Sequence, residues 1–383
     1  MKDARDGICF GAATRRRLLQ GMGSLMVMPA GRAFGAVREM PFFIGTYDKN
    51  SGLVPLLYRP STDAWSLGAP VRSIQNASFG AYSKRFGLYY LLDEQDDGKV
   101  GAYRATKMGA DWTRVGEAST KGSGPCFVTL DKAERCMVVA NYNSGSLAIY
   151  RLDPTSGLPL EPDIRQDSGH GPNADRQAGP HAHCARFSPD QRFLYSTDLG
   201  ADQVLGYAFD AQRSDVGKAF TAFEAPAGTG PRHIVFHPHS PVAYLASELA
   251  NSLTVLHRLP DGRLVQTQTL STLPPDFKEH NQTAHIAINR AGTRLYVSNR
   301  GHNSIAVFAL DKTGQATLMQ YAPTLGNWPR FFLLVEEHGR LIVANERSGD
   351  VAILAIAQDG RLQPTPSKLS VPEAVFVGQV HEH

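Results

Sequence analysis

From Pro41 onward the chain alternates short apolar runs with polar, turn-forming stretches, and the same order of runs keeps returning. Each copy reads as an apolar strand, a turn rich in Pro, Asp and Gly, a second apolar strand closed by a small polar residue, a polar gap and a third apolar strand. Cys136-Met137-Val138-Val139-Ala140 closes on Asn141, Leu295-Tyr296-Val297-Ser298 on Asn299, and Leu341-Ile342-Val343-Ala344 on Asn345. Asp198 and Ser247 close two further copies, Asp93 a looser one, and Thr46 the first, after Phe42-Phe43-Ile44-Gly45. Runs this short, rich in Val, Ile and Tyr, predict strands rather than helices.

Successive closing residues lie 47, 48, 57, 49, 52 and 46 positions apart. A period near 50 with three or four short strands per unit is the pattern of propeller blades. A blade has two apolar faces that only neighbouring blades can cover, so the ring must close. Seven closing residues predict an all-β, seven-bladed β-propeller of four-stranded antiparallel blades. The first copy has no inner strand before Pro41; Glu373-Ala374-Val375-Phe376-Val377 can supply it, closing the ring with strands from both ends of residues 37–383, read as one domain. The 57-residue step carries its excess in Asp163 to Gly179, a polar stretch that reads as an inserted loop, and Pro274 to Asn281 is a second.

Composition narrows the function. With 39 Lys+Arg against 36 Asp+Glu, the net charge of +3 provides no broad basic face for nucleic acid. No apolar run reaches the roughly 18–20 residues of a membrane span, so no membrane anchor is expected. Thr14-Arg15-Arg16-Arg17-Leu18-Leu19-Gln20, followed by a modest apolar stretch and by Ala33 and Gly35, resembles a twin-arginine export signal. Residues 1–36 are therefore expected to be an address for the periplasm, the alternative being a cytoplasmic extension. Four cysteines make no disulfide scaffold. Cys126 and Cys136 flank a turn and could pair in an oxidising compartment, though two buried apolar thiols are the favoured reading.

Charged residues recur where inner strands begin: Gly179-Pro180-His181-Ala182-His183, Gly230-Pro231-Arg232-His233, His285 and Trp328-Pro329-Arg330. Those strand starts converge on one mouth of a propeller channel. The positions after the closing residues also vary, as Glu94, Tyr142, Leu199, Glu248, Arg300 and Glu346. Singly each charge reads as a solvated loop residue; together they make a site candidate. No G-x-S-x-G elbow occurs beyond residue 41, no Walker loop or GxGxxG opens a helix, and the histidines lack metal-ligand spacing. Neither cofactor nor metal is expected.

Pro180-His181-Ala182-His183 leading into Phe187-Ser188-Pro189-Asp190, Gly230-Pro231-Arg232-His233 leading into Phe236-His237-Pro238, and Ser298-Asn299-Arg300 resemble the seven-bladed β-propeller lactonases. That family includes propeller-type 6-phosphogluconolactonases and 3-carboxy-cis,cis-muconate lactonising enzymes. The resemblance implies a mouth site of His183, Arg232, Glu248 and Arg300; His181, His233, His285 and Arg330, at the same strand starts, are read as substrate-binding neighbours. It implies hydrolysis of a sugar-acid lactone, a small-molecule partner, by a monomer or weak dimer. A muconate-type cycloisomerase and a non-enzymatic ligand- or protein-binding propeller are the alternatives. His183 is the expected base, with Glu248 orienting it or an arginine; the reverse assignment is also open. Export would favour an unphosphorylated aldonolactone over 6-phosphogluconolactone.

Overall fold

The computed structural model describes residues 39–106 and 108–381, so the expected export segment lies outside the described residues. Among them, 28 strands form seven four-stranded antiparallel sheets, and the only helix is the single 3₁₀ turn Glu336–His338. Six blades are continuous in sequence. The seventh joins Met40–Thr46, Leu53–Arg59 and Ala64–Leu67 to Ala374–Gln379, which pairs with Met40–Thr46 as inner strand. The ring is closed as the pattern predicted, and no strand edge is left open between its two ends.

The second strand of each blade is buried on both faces, which explains its unbroken apolar run: Cys136–Asn141, Phe193–Asp198 and Val242–Ser247 are buried throughout. Outer strands such as Leu264–Ser271 are largely exposed and carry almost no apolar signature. That is why the insertion predicted from Asp163 begins later. Asp163–Gln166 is the outer strand of its blade, paired with Ser146–Arg151, and the inserted chain starts at Asp167.

Two repeated devices lock blade to blade. A closing asparagine donates its amide to a carbonyl of the preceding blade's end: Asn141 to Thr120 (3.2 Å), Asn299 to Thr272 (2.7 Å), Asn345 to Thr324 (3.1 Å). A buried second-strand tyrosine donates to a carbonyl in the following blade's outer turn: Tyr90 to Gly157, Tyr195 to Gly262, Tyr244 to Gly314, Tyr296 to Gly360. All four glycines sit at φ between 75° and 90°, the left-handed region that glycine tolerates. Cys126, Cys136 and Cys184 are free and buried, so no Cys126–Cys136 bridge forms.

Candidate active site

An irregularity in the ladders creates the mouth. Where an inner strand begins, pairing with the second strand skips a residue: Pro125 pairs with Asn141 and Phe127 with Ala140, leaving Cys126 unpaired. The same bulge leaves His183 between Ala182 and Cys184, Arg232 between Pro231 and His233, and Arg330 between Pro329 and Phe331. In the blade of Gln282–Ile288 both Ala284 and His285 are skipped, and in Ala374–Gln379 the skipped residue is Val375. A bulge re-aims the extra side chain; here it sets His183, Arg232, Arg330 and Cys126 on one ring.

A second ring lies beside it. The residue after a closing position donates its backbone N–H to a carbonyl just before the inner strand of its blade. These bonds run from Tyr47 to Glu373, Glu94 to Asn76, Tyr142 to Gly124, Leu199 to His181, Glu248 to Gly230 and Glu346 to Trp328. Arg300 pairs with Gln282 at the corresponding place. The two rings bring together residues far apart in sequence.

Glu248 is the centre of charge. It is 2% exposed and receives three arginines: Arg232 Nε at 3.0 Å and Arg300 Nη2 at 2.5 Å on Oε2, and Arg176 Nη2 at 2.6 Å on Oε1. Burial alone would raise its carboxyl, but Arg300 and Arg232 outweigh it and hold the group well below the usual carboxylate range. Burial, reinforced by the Arg300 charge, pulls Arg232 down to about 10. Across the mouth Arg330 stands 3.4 Å from Glu94 Oε2, which also accepts the Tyr47 hydroxyl at 2.7 Å. Glu346 Oε2 is buried without a hydrogen-bond partner.

His183 is buried, with Nδ1 3.7 Å from Cys126 Sγ and the Tyr142 ring edge-on at 5.2 Å. Burial, then the Arg232 charge, pushes its imidazole well below the ordinary histidine range, so it is neutral at pH 7. No hydrogen bond joins it to Glu248 in the structure; the arginines occupy that carboxylate. His181 stacks on Tyr142 at 4.4 Å and is half-buried.

His233 and His285 stand one layer deeper than the mouth where the motifs had set them as substrate-binding residues. His233 follows the bulged Arg232, His285 is the second of the two skipped residues in its blade, and both join a closed belt of six rings with Phe79, Phe127, Phe331 and Phe376. Successive centroids around that belt are 4.1–5.4 Å apart. His233 meets the mouth through Arg232 and through the His183 ring, edge-on at 5.2 Å. An arginine can only donate, so Arg232 Nη1 gives its hydrogen to His233 Nε2 at 3.2 Å. His233 Nδ1 must then carry a proton and donate to His285 Nδ1 at 3.2 Å, leaving the His285 proton on Nε2.

Arg176 was not found from the sequence. It comes from the inserted loop, with Nη2 also 3.1 Å from the Tyr142 hydroxyl. The length of the blade step marked that loop, but nothing in a non-repeating stretch singles out one arginine. Tyr47, the residue after the first closing position, also reaches the mouth, through its bond to Glu94.

Among the described residues no group of three or more His, Cys, Asp and Glu is placed to hold a metal ion, and no helix is long and apolar enough to cross a membrane. The arrangement can hold an anion or a developing oxyanion among arginines beside a neutral imidazole.

The family model described as "Lactonase, 7-bladed beta-propeller" matches residues 41–379. A 6-phosphogluconolactonase of Bacillus subtilis is 31% identical over 347 residues, 89% of this chain and 98% of the relative. A 6-phosphogluconolactonase of Formosa agariphila is 28% identical, across 86% and 96%. A crystal structure of a protein from Lactobacillus plantarum superposes with a TM-score of 0.82 at 30% identity, covering 90% of this chain and all of the other.

Proposed function

Because this chain belongs to the seven-bladed β-propeller lactonase family, we propose that its mouth hydrolyses the ring ester of a sugar-acid lactone. The observation that carries the reading is a neutral, buried His183 on the ring beside the Glu248–arginine cluster. Both oxygens of Glu248 are taken by arginines, so its role is to align Arg232 and Arg300. His183 takes a proton from water, and the water oxygen bonds to the lactone carbonyl carbon. The carbonyl π pair moves onto oxygen, and Arg232 and Arg300 donate to the resulting oxyanion. One well-placed donor of this kind is worth about 2.7–4 kcal/mol of transition-state stabilisation. The intermediate collapses with cleavage of the ring C–O bond. Imidazolium returns the proton to the leaving alkoxide, and a hydroxy acid results.

The substrate is read as an unphosphorylated aldonolactone. Arg176, Arg232, Arg300 and Arg330 against Glu94, Glu248 and Glu346 leave one positive charge in excess, matched to a single developing oxyanion rather than to an added phosphate dianion. The Arg15-Arg16-Arg17 pattern supports an exported, periplasmic enzyme, where phosphorylated sugars are scarce. The relatives' name points instead to 6-phosphogluconolactone. The test is the initial rate of acid release from both lactones by purified protein. A kcat/KM about tenfold higher for glucono-δ-lactone is expected. The reverse ratio overturns the substrate choice, and no acceleration of either lactone overturns the reaction.

A further inference from the structure

The channel has a second end, and the aromatic belt closes it off from the mouth. Below the belt a cavity of about 570 Å³ opens toward the ends of the inner strands, at Leu130, Leu333 and Gln379. Its inner wall is the underside of the belt, Phe79, Phe127, Phe331, Phe376 and His285. A cavity of this size holds a two-ring organic ligand.

One cation lies in this apolar wall. Arg186, on the inner strand Ala182–Phe187, lines the cavity with its guanidinium carbon 5.1 Å from the centre of the Phe127 ring. Its Nε is buried without a hydrogen-bond partner, its polar neighbour is the Cys184 thiol, and no ion pair to it forms among the described residues. The acids at the rim are engaged elsewhere. Asp131 accepts the backbone N–H groups of Arg135 and Cys136, and Glu134 accepts the Ser83 hydroxyl and the Arg85 N–H. A half-buried guanidinium with no carboxylate is electrostatically incomplete. His285 adds a donor, since the proton order imposed by Arg232 and His233 leaves hydrogen on its Nε2. Lys132 at the exposed rim adds a steering charge.

We propose that this far-end cavity is a second ligand site, distinct from the lactonase mouth, that takes a small aromatic carboxylate: carboxylate on Arg186 and His285, ring against the phenylalanine belt. Charge complementarity selects the anion, and ring faces select the flat apolar body.

The probe is 2-naphthoate, titrated by its fluorescence into the full chain, with neutral 2-naphthylmethanol as its isostere. One-site saturation is expected, with naphthoate about tenfold tighter than the alcohol. Arg186→Gln should abolish that preference and leave glucono-δ-lactone turnover within about twofold of the parent. Leu333→Trp, which keeps the charge and fills the space, should abolish binding of both probes. It decides the matter if Arg186→Gln gives no cooperative melt. Equal affinity for the two probes, binding that survives Leu333→Trp, or naphthoate that competes with lactone for the mouth overturns the proposal. Because the titration reads binding directly, its outcome is independent of whether the mouth hydrolyses lactones.

Discussion

Glu248 shows how far one side chain depends on its partners. A carboxylate buried to 2% exposure is tolerated because three guanidiniums surround it, and those guanidiniums are tolerated because of it. We expect Glu248→Gln to lower kcat/KM on a lactone by about 10²–10³-fold, through loss of arginine alignment. The same change should reduce stability by about 3–5 kcal/mol, since buried cations lose their counter-charge; urea unfolding checks it. Arg300→Lys should not restore function, because an ammonium lacks the planar fork, and steady-state kinetics would reveal full activity if that were wrong. The histidines give a pH signature. Burial keeps His183, His233 and His285 neutral in the folded protein. Unfolded imidazoles bind protons below about pH 6.5, so stability is complete above that pH and falls as pH drops through it, by up to about 1.4 kcal/mol per unit for each histidine. Tm should decline from pH 7 to pH 5, and a flat Tm would contradict neutral imidazoles. His183, Arg232, Glu248 and Arg300 could be named from motifs. Arg176 could not, because it stands in a loop with no copy to be compared against.

At the scale of elements, the bulge is the device that makes a site from a repeat. Regular pairing at Ala182–Phe187 or Pro231–Phe236 would give His183 and Arg232 a partner on the second strand; the skipped pair removes it and re-aims them. The apolar runs made these strands legible, because burial on both faces demands continuous hydrophobicity. The bulges were not legible, since one extra residue in a ladder leaves no compositional trace, and the depth of His233 and His285 follows from it. The tyrosine–glycine bond between blades is testable here. Tyr244→Phe removes the hydroxyl that donates to Gly314 at 2.9 Å and leaves that buried carbonyl unsatisfied. We expect a loss of about 1–3 kcal/mol, measured by thermal or urea unfolding, with lactone turnover unchanged because the bond lies away from the mouth.

At the scale of the molecule, closure is carried by one C-terminal strand. Ala374–Gln379 completes the first blade, and its Phe376 joins the belt through Phe79 and Phe331 while packing on Phe43. A chain ending at residue 371 should therefore lose cooperative unfolding altogether rather than simply melt at a lower temperature. Near-UV circular dichroism and a thermal scan would show it, and a sharp transition would argue that six blades and a fragment suffice.

The order of apolar and polar positions was enough to determine the strands, their repeat, the number of blades and the closure by both ends, because each is a consequence of burying two-faced sheets against one another. The repeat also drew the residues at strand starts and after closing positions toward one mouth, and the motif resemblance singled out His183, Arg232, Glu248 and Arg300 among them. What only the tertiary structure decided is how those groups meet: three arginines on Glu248, a neutral His183 apart from it, and a belt dividing the channel in two. Those depend on which residue a ladder skips and on where a non-repeating loop returns. Both are settled by three-dimensional packing, which periodicity along the chain does not record.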